Sequence, residues 1–379
     1  MGKTSGAILR GIMKAALKRT PIKPYAGGTL ECGQWYDVPL AGSICANGEP
    51  NPLFVRKGAA NKLVIYFYGG GLFWKSEDAW RFGTQETLFD PDYGYCTGET
   101  RLGNAFWSFV LNSGKGLFSD APARSPFTDW TIVAINYSTG DFHVGQTEYT
   151  VTDKRGVTKT MKIQGYRNFQ LAMDYILRLS PNPEQLLICG ESAGGFGVSL
   201  LASDILDAYP ECKNITVCSD ASLLHYDWST VLRDVWNAPE HIRNRVTTDN
   251  LVADCYRDLV ARYSDRARFL FLCGVRDIAL AQYANAMDGG ERKPTKERAY
   301  RFQKGLKNHV AALKAADPKF GIYIHNFSTK NKADCVQHMT LTAPSFSERK
   351  IDGITPSEWL KRAVIDGQVS DIGLHLLNE

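Results

Sequence analysis

A chain of 379 residues with 44% hydrophobic and 22% charged residues has the make-up of an ordinary globular protein, which excludes long disorder, collagen-like repeats and coiled coil as the main theme. Lys+Arg number 44 against Asp+Glu 40, a net charge of +4. That small excess makes no electrostatic case for nucleic acid, where a clustered basic face is expected. No unbroken apolar run reaches the roughly 18 residues that a membrane span needs. A soluble globular protein is expected.

In chain order, the opening MGKTSGAILRGIMKAALKRT is basic but lacks an apolar core before a small-residue cleavage site, so as written it is not a secretory signal. It predicts a short basic amphipathic helix, and a cytoplasmic location. Strand-length apolar runs follow at Lys62–Tyr68, Trp130–Tyr137, Gln185–Cys189, Asn214–Cys218, Ala267–Cys273 and Gly321–Phe327. Near-continuous apolar strands of this kind suit a sheet covered on both faces. Between them, Phe169, Ala172, Met173, Ile176 and Leu177 make one helical stripe, and Ala299, Phe302, Leu306, Val310 and Leu313 another, both at spacings of three and four. Alternation of this kind predicts an α/β fold with a mostly parallel central sheet and helices on both faces. Long stretches near 72–129 and 222–265 interrupt it and read as cap-like insertions. With no linker, repeat or low-complexity tract, residues 1–379 are expected to form a single domain. The nine cysteines include no C-x-x-C pair, so zinc-ribbon and thioredoxin-type motifs find no support. Cys189, Cys218 and Cys273 sit in or beside apolar runs, where a thiol behaves as a small core hydrophobe.

The strongest local signal is Gly190-Glu191-Ser192-Ala193-Gly194, followed by Gly195-Phe196-Gly197. G-x-S-x-G between a strand and a helix serves a sharp turn that lifts a serine hydroxyl above a sheet, and the helix N-terminus favours a developing anion. An inert glycine-rich turn is the plainer reading, but the strand QLLIC before it and the helical Val198–Leu206 after it supply the context that the motif needs. Tyr68-Gly69-Gly70-Gly71-Leu72 follows the strand KLVIYFY. Acyl transfer needs N–H donors aimed at the oxyanion; Gly70, Gly71 and Leu72 could supply them from this loop, and Ala193 from the residue after the serine. An acid and a histidine should then follow Ser192. Asp277 and Asp220 both stand just beyond strands and compete for the first role. Of the later histidines, His225, His241, His309, His325, His338 and His375, His309 falls in a helix and His325 in a strand. His338 follows a polar loop suited to a catalytic imidazole.

In order along the chain stand five pieces: Gly69–Leu72 after a strand; Tyr137-Ser138-Thr139-Gly140-Asp141-Phe142-His143-Val144-Gly145; Ser192-Ala193-Gly194-Gly195; Ser219-Asp220-Ala221; and Asp334-Cys335-Val336-Gln337-His338. Together they resemble the pectin acetylesterase family, which includes the Notum-type carboxylesterases. The second piece is similar to the family's Y-C-T-G-D-x-H-x-G and the last to its C-x-x-H ending. Tyr68, Leu72 and Ser138 stand where the family usually has glutamate, tryptophan and often cysteine. The resemblance implies an α/β-hydrolase-type serine esterase with Ser192 as nucleophile and His338 as base, and it favours Asp277 over Asp220 as the acid. The expected function is removal of acetyl or other short acyl groups from a small-molecule or carbohydrate-like ester, with no metal or organic cofactor. The rivals are a Notum-like fatty-acyl esterase and a non-catalytic binding protein on the same fold.

Overall fold

The apolar runs do pair edge to edge, each flanked by others of the same kind. In the computed structural model, which describes residues 22–83, 111, 113–152, 156–328 and 331–379, the strands are β1 (Lys23–Pro24), β2 (Trp35–Val38), β3 (Leu53–Arg56), β4 (Lys62–Phe67), β5 (Thr131–Ile135), β6 (Thr147–Thr152), β7 (Thr158–Ile163), β8 (Gln185–Glu191), β9 (Ile215–Asp220), β10 (Ala267–Gly274) and β11 (Gly321–His325). Nine of them form one sheet in the order β1-β2-β3-β5-β4-β8-β9-β10-β11. From β5 to β11 every neighbour is parallel, whereas β3 runs antiparallel to both β2 and β5. All residues of β5, β9 and β11 are buried, as are those of β4 and β8 after their first. Because successive side chains point to opposite faces, burial of every residue means that both faces are covered. This is the α/β-hydrolase-like fold expected.

Six helices matter here: α1 (Gly165–Leu179), α2 (Ala193–Ala208), α3 (Leu251–Tyr263), α4 (Ile278–Met287), α5 (Lys296–Ala316) and α6 (Pro356–Val364). The two stripes read from sequence are their buried faces: Phe169, Ala172, Met173 and Ile176 on α1, and Ala299, Phe302, Leu306, Val310 and Leu313 on α5. Helix α2 is different, buried almost throughout its first twelve residues, because it follows Ser192 down across β4, β8 and β9.

Three features were not expected. The edge strands β1–β3, of which β1 and β2 pair parallel and β3 runs antiparallel to its neighbours, were missed, and so was the β6–β7 hairpin, whose Thr147–Thr152 strand alternates half-buried and exposed residues. The stretch 222–265 also contains the connection from β9 to β10, with α3 capped by Asn250, whose side chain accepts from the Ala253 amide. The amphipathic helix expected at residues 1–20, residues 84–110 and 112 of the stretch 72–129, and Cys96 with them, lie outside the described residues. Cys189, Cys218 and Cys273 are fully buried thiols in β8, β9 and β10, as expected. Among the described residues no helix is long and apolar enough to cross a membrane.

One sheet thus gathers strands from residue 23 to residue 325, and one apolar core contains Trp35, Trp130, Trp228 and Trp359. The chain is therefore expected to unfold as one cooperative unit. Urea transitions followed by tryptophan fluorescence and by far-ultraviolet circular dichroism should coincide. Two separated transitions, or two independently folded proteolytic fragments, would contradict a single domain.

Candidate active site

Strand β8 ends at Glu191 and α2 begins at Ala193, so Ser192 alone makes the turn. Its backbone sits at φ 56°, ψ −127°, a left-sided conformation that costs a non-glycine residue on the order of 1–3 kcal/mol. The surrounding packing enforces it. The Ser192 amide donates to the Asp220 carbonyl at 2.9 Å. A Cβ on Gly194 would stand 2.0 Å from the Phe67 carbonyl oxygen, and one on Gly190 would stand 2.6 Å from that of Gly194. The motif's glycines are therefore a steric requirement of strand and helix packed this closely. Ala193 opens α2, so its amide is among the first-turn N–H groups that have no partner within the helix.

The glycine loop leaves β4 beside this turn, because β4 and β8 pair in register with Phe67 opposite Gly190. A Cβ on Gly69 would lie 2.9 Å from Ser192 Cβ and 3.1 Å from the Ala193 nitrogen. Gly71 follows at φ 86°, a value that glycine adopts without strain. Residues Gly69–Leu72 and the Ser192–Ala193 turn thus form one surface at the carboxyl ends of the parallel strands, where open α/β sheets place their ligands.

Asp277 closes β10 and caps α4: its Oδ1 accepts from the amides of Ala279 at 2.9 Å and Leu280 at 3.0 Å. The chain returns past it after β11. Val336 donates to the Arg276 carbonyl and accepts from the Ile278 amide, which brings His338 onto the Asp277 carboxyl. His338 Nδ1 lies 2.8 Å from Asp277 Oδ2 and 2.9 Å from Oδ1. Asp277 is fully buried. Since a carboxylate only accepts, Nδ1 carries the hydrogen and Nε2 keeps its lone pair. Gly274 makes room for this return, for a Cβ there would meet Val336 and the Gln337 carbonyl at 2.7 and 2.8 Å.

Asp220, the competing acid, is equally buried but does something else. Its Oδ2 accepts from the amides of Thr340 at 2.6 Å and Leu341 at 3.0 Å. On the next strand Glu191, paired with Asp220 in the sheet register, accepts from the Thr342 amide at 3.2 Å and from its hydroxyl. Two neighbouring carboxylates therefore grip the segment immediately after His338, and one of them adjoins Ser192. Burial raises the pKa of both. The Glu191 charge pushes Asp220 up further, well above the carboxylate range, against the pull of the two amides.

The other histidines lie elsewhere. His309 is buried against Asn250, and His325 against Thr340; burial lowers each to about 3. His225, His241 and His375 are exposed and face Asp249, Asp204 and Asp352. The structure thus brings His338 to Asp277 rather than to Asp220. Arg276, next to Asp277 in the chain and of the right sign to support its charge, turns away and donates to the Asp334 carbonyl and to Gln303. The α4 amides take that place.

Against this geometry, the pectinacetylesterase family model matches residues 37–259, more than half of the chain. The chain belongs to the pectinacetylesterase family. That makes it an acetylesterase-type hydrolase of small esters. No curated protein matches it. The family match covers the glycine loop, the Tyr137–Gly145 piece, Ser192 and Asp220, and it ends before Asp277 and His338. Sequence reading gave no role to Glu191 or Thr342. The available signal was an acid closing the buried strand QLLICGE, which had to find donors somewhere.

Replacing Asp220 by Ala leaves the Thr340 and Leu341 amides buried without an acceptor, and at about 1–3 kcal/mol for each unpaired group stability should drop by roughly 2–6 kcal/mol. Asp220→Asn keeps a carbonyl oxygen and should lose less. A carboxyl whose pKa is raised by folding contributes stability that is fully present below its unfolded pKa, about 4, and is lost as pH rises through the folded value. Asn cannot ionise, so the stability gap between parent and Asp220→Asn should narrow as pH rises from about 4. Urea unfolding across pH measures this, and a widening gap would show that folding lowers the Asp220 pKa.

Proposed function

We propose that this family member is a serine carboxylic-ester hydrolase that removes acetyl or other short acyl groups from a hydroxylated, carbohydrate-like substrate. Ser192 is the nucleophile, His338 the general base and acid, and Asp277 the residue that orients the imidazole. The observation that carries the assignment is the 2.8 Å contact of His338 Nδ1 with buried Asp277, which leaves Nε2 as the basic nitrogen.

Ser192 Oγ bonds to the ester carbonyl carbon as His338 Nε2 takes its proton, and the carbonyl electron pair moves onto oxygen. The amides of Gly70, Gly71, Leu72 and Ala193 face that oxyanion. Collapse breaks the bond to the alkoxide, which receives the proton from His338. Water then repeats the sequence on the acyl-serine, releasing the acid and restoring Ser192. Asp277 stabilises the imidazolium at each stage, and the amides that cap it from α4 hold its carboxyl in place.

Ser192→Ala should fold normally and lose about 10⁶-fold in kcat, the loss known for removal of a triad serine in subtilisin. Residual activity within tenfold of the parent would remove the serine-esterase reading. Failure of the parent to label at Ser192 with a fluorophosphonate would favour a binding protein instead. Across p-nitrophenyl esters of increasing acyl length, acetate should be the best substrate; a preference for long chains would move the assignment to a fatty-acyl esterase.

Asp277→Asn keeps the shape of the side chain but offers an amide where the imidazole needs an acceptor. By the trypsin precedent kcat should fall by about 10⁴-fold, with Ser192 still slowly labelled. Were Asp220→Asn the dead variant and Asp277→Asn active, the two acids would have to exchange roles.

A further inference from the structure

The Tyr137–Gly145 segment lies after β5, the neighbour of β4 in the sheet, and it is almost wholly buried. Its polar groups meet the glycine loop. The Tyr137 hydroxyl donates to the Gly71 carbonyl at 3.0 Å. The same oxygen accepts from the Phe142 amide at 3.1 Å, so its single hydrogen is directed at Gly71. His143 Nε2 lies 2.9 Å from the Tyr68 carbonyl. A carbonyl only accepts, so that nitrogen carries the hydrogen. The Phe73 amide donates to the Gly140 carbonyl at 3.1 Å, which holds the far end of the loop.

A trans peptide is planar, with its N–H pointing opposite its C=O. Fixing the Gly71 carbonyl on Tyr137 therefore aims the Leu72 N–H the other way, and fixing the Tyr68 carbonyl on His143 does the same for Gly69. From these contacts we infer that Tyr137, seconded by His143, is a positioning residue of the oxyanion hole: it locks the Gly71–Leu72 peptide in the orientation that presents the Leu72 N–H to the anion. This rests on the reading of the glycine loop as the oxyanion donor.

The lock is itself rigidly mounted. Phe142 and His143 are held at φ 50° and 66°, conformations that need outside support. Asp141 supplies it by accepting from the Thr139 hydroxyl at 2.6 Å and from the amides of His143, Gly145 and Gly165 at 3.1, 2.9 and 3.0 Å. Neither of the last two glycines could carry a Cβ, which would lie 2.4–2.5 Å from an Asp141 oxygen. Gly197 in α2 leaves the space that His143 fills, since a Cβ there would stand 2.9 Å from its ring. The second glycine-rich piece after the serine thus serves the oxyanion side of the site.

Tyr137→Phe removes one oxygen and keeps the ring. Deleting an oxyanion donor outright costs about 10²–10³-fold in kcat, so freeing one to turn away should cost about 10–100-fold. KM should stay within about twofold, because the ground-state carbonyl makes less of this contact than the tetrahedral state. Affinity for a boronic acid, which forms a tetrahedral adduct on Ser192, should fall by the same factor as kcat. His143→Gln, which retains an N–H donor, should keep more of kcat than His143→Leu. Parental kcat in Tyr137→Phe, or lower kcat with parental boronate affinity, overturns the inference. If Tyr137→Phe does not fold, the His143 pair decides, and equal kcat in Gln and Leu overturns it. Ser192-dependent turnover of the parent is measured first: its absence sinks the esterase reading and this inference together, whereas its presence with an unaffected Tyr137→Phe sinks this inference alone.

Discussion

Three carboxyl groups end three adjacent strands: Glu191 on β8, Asp220 on β9 and Asp277 just past β10. All are fully buried. A buried acid without hydrogen-bond donors is among the costliest features that a fold can contain, so the chain must bring donors to this edge. It brings them largely from one place. The return after β11 supplies the His338 ring to Asp277, the Thr340 and Leu341 amides to Asp220, and Thr342 to Glu191. Five successive residues with no helix or strand of their own are thereby fixed to the sheet through side-chain acceptors. The imidazole's location is a consequence of satisfying acids that the sheet would otherwise leave stranded.

The other half of the site follows a different logic. Here the groups to be held are backbone amides, and what holds them is the opposite end of each peptide. Tyr137 and His143 grip carbonyls of the glycine loop from below, while Gly69, Gly190 and Gly194 let loop, strand and helix touch at distances that no Cβ permits. Strand register sets the alignment, since Phe67 lies opposite Gly190 and Glu191 opposite Asp220. A one-residue slip would turn every side chain to the other face and separate the loop from the serine. Continuous burial of β4, β8 and β9 on both faces leaves no room for such a slip.

Much of this was legible in the sequence, for identifiable reasons. Strands that are apolar on both faces stand out as unbroken runs, and β4, β5, β8, β9, β10 and β11 all did. The elbow announced itself because its glycines are sterically obligatory. The antiparallel strand β3 did not: LFVR is too short a run to separate from an apolar loop, and the inward face of TEYTVT offers only Tyr149 and Val151 as apolar residues. The choice between Asp220 and Asp277 was also beyond local reading. Both follow strands, and only the partners differ, which depend on where a segment some sixty or more residues later returns. Arg276 adjoins Asp277 in the chain, but its side chain points elsewhere. Its guanidinium lies over Tyr300 and bonds to Gln303, and the charge support comes from helix amides that carry no residue-specific signal at all.

The two halves also divide the chemistry between different physical forces. In the proposed mechanism, proton transfer depends on a side-chain contact, His338 to Asp277, held in a segment anchored by two neighbouring buried acids. In the same proposal, oxyanion stabilisation depends on peptide planes held by a phenol and by a histidine whose pKa burial lowers to about 4, so the imidazole stays neutral far below the range in which a catalytic histidine titrates. Rising pH therefore charges the buried Asp220 and Glu191 side by side beneath the base's segment, at a cost in stability, while His143 keeps its hold on the glycine loop. The acids and the loop meet at the Glu191–Ser192–Ala193 turn, whose strained serine is braced from both sides, by the Asp220 carbonyl on one and by the close approach of Gly69 on the other.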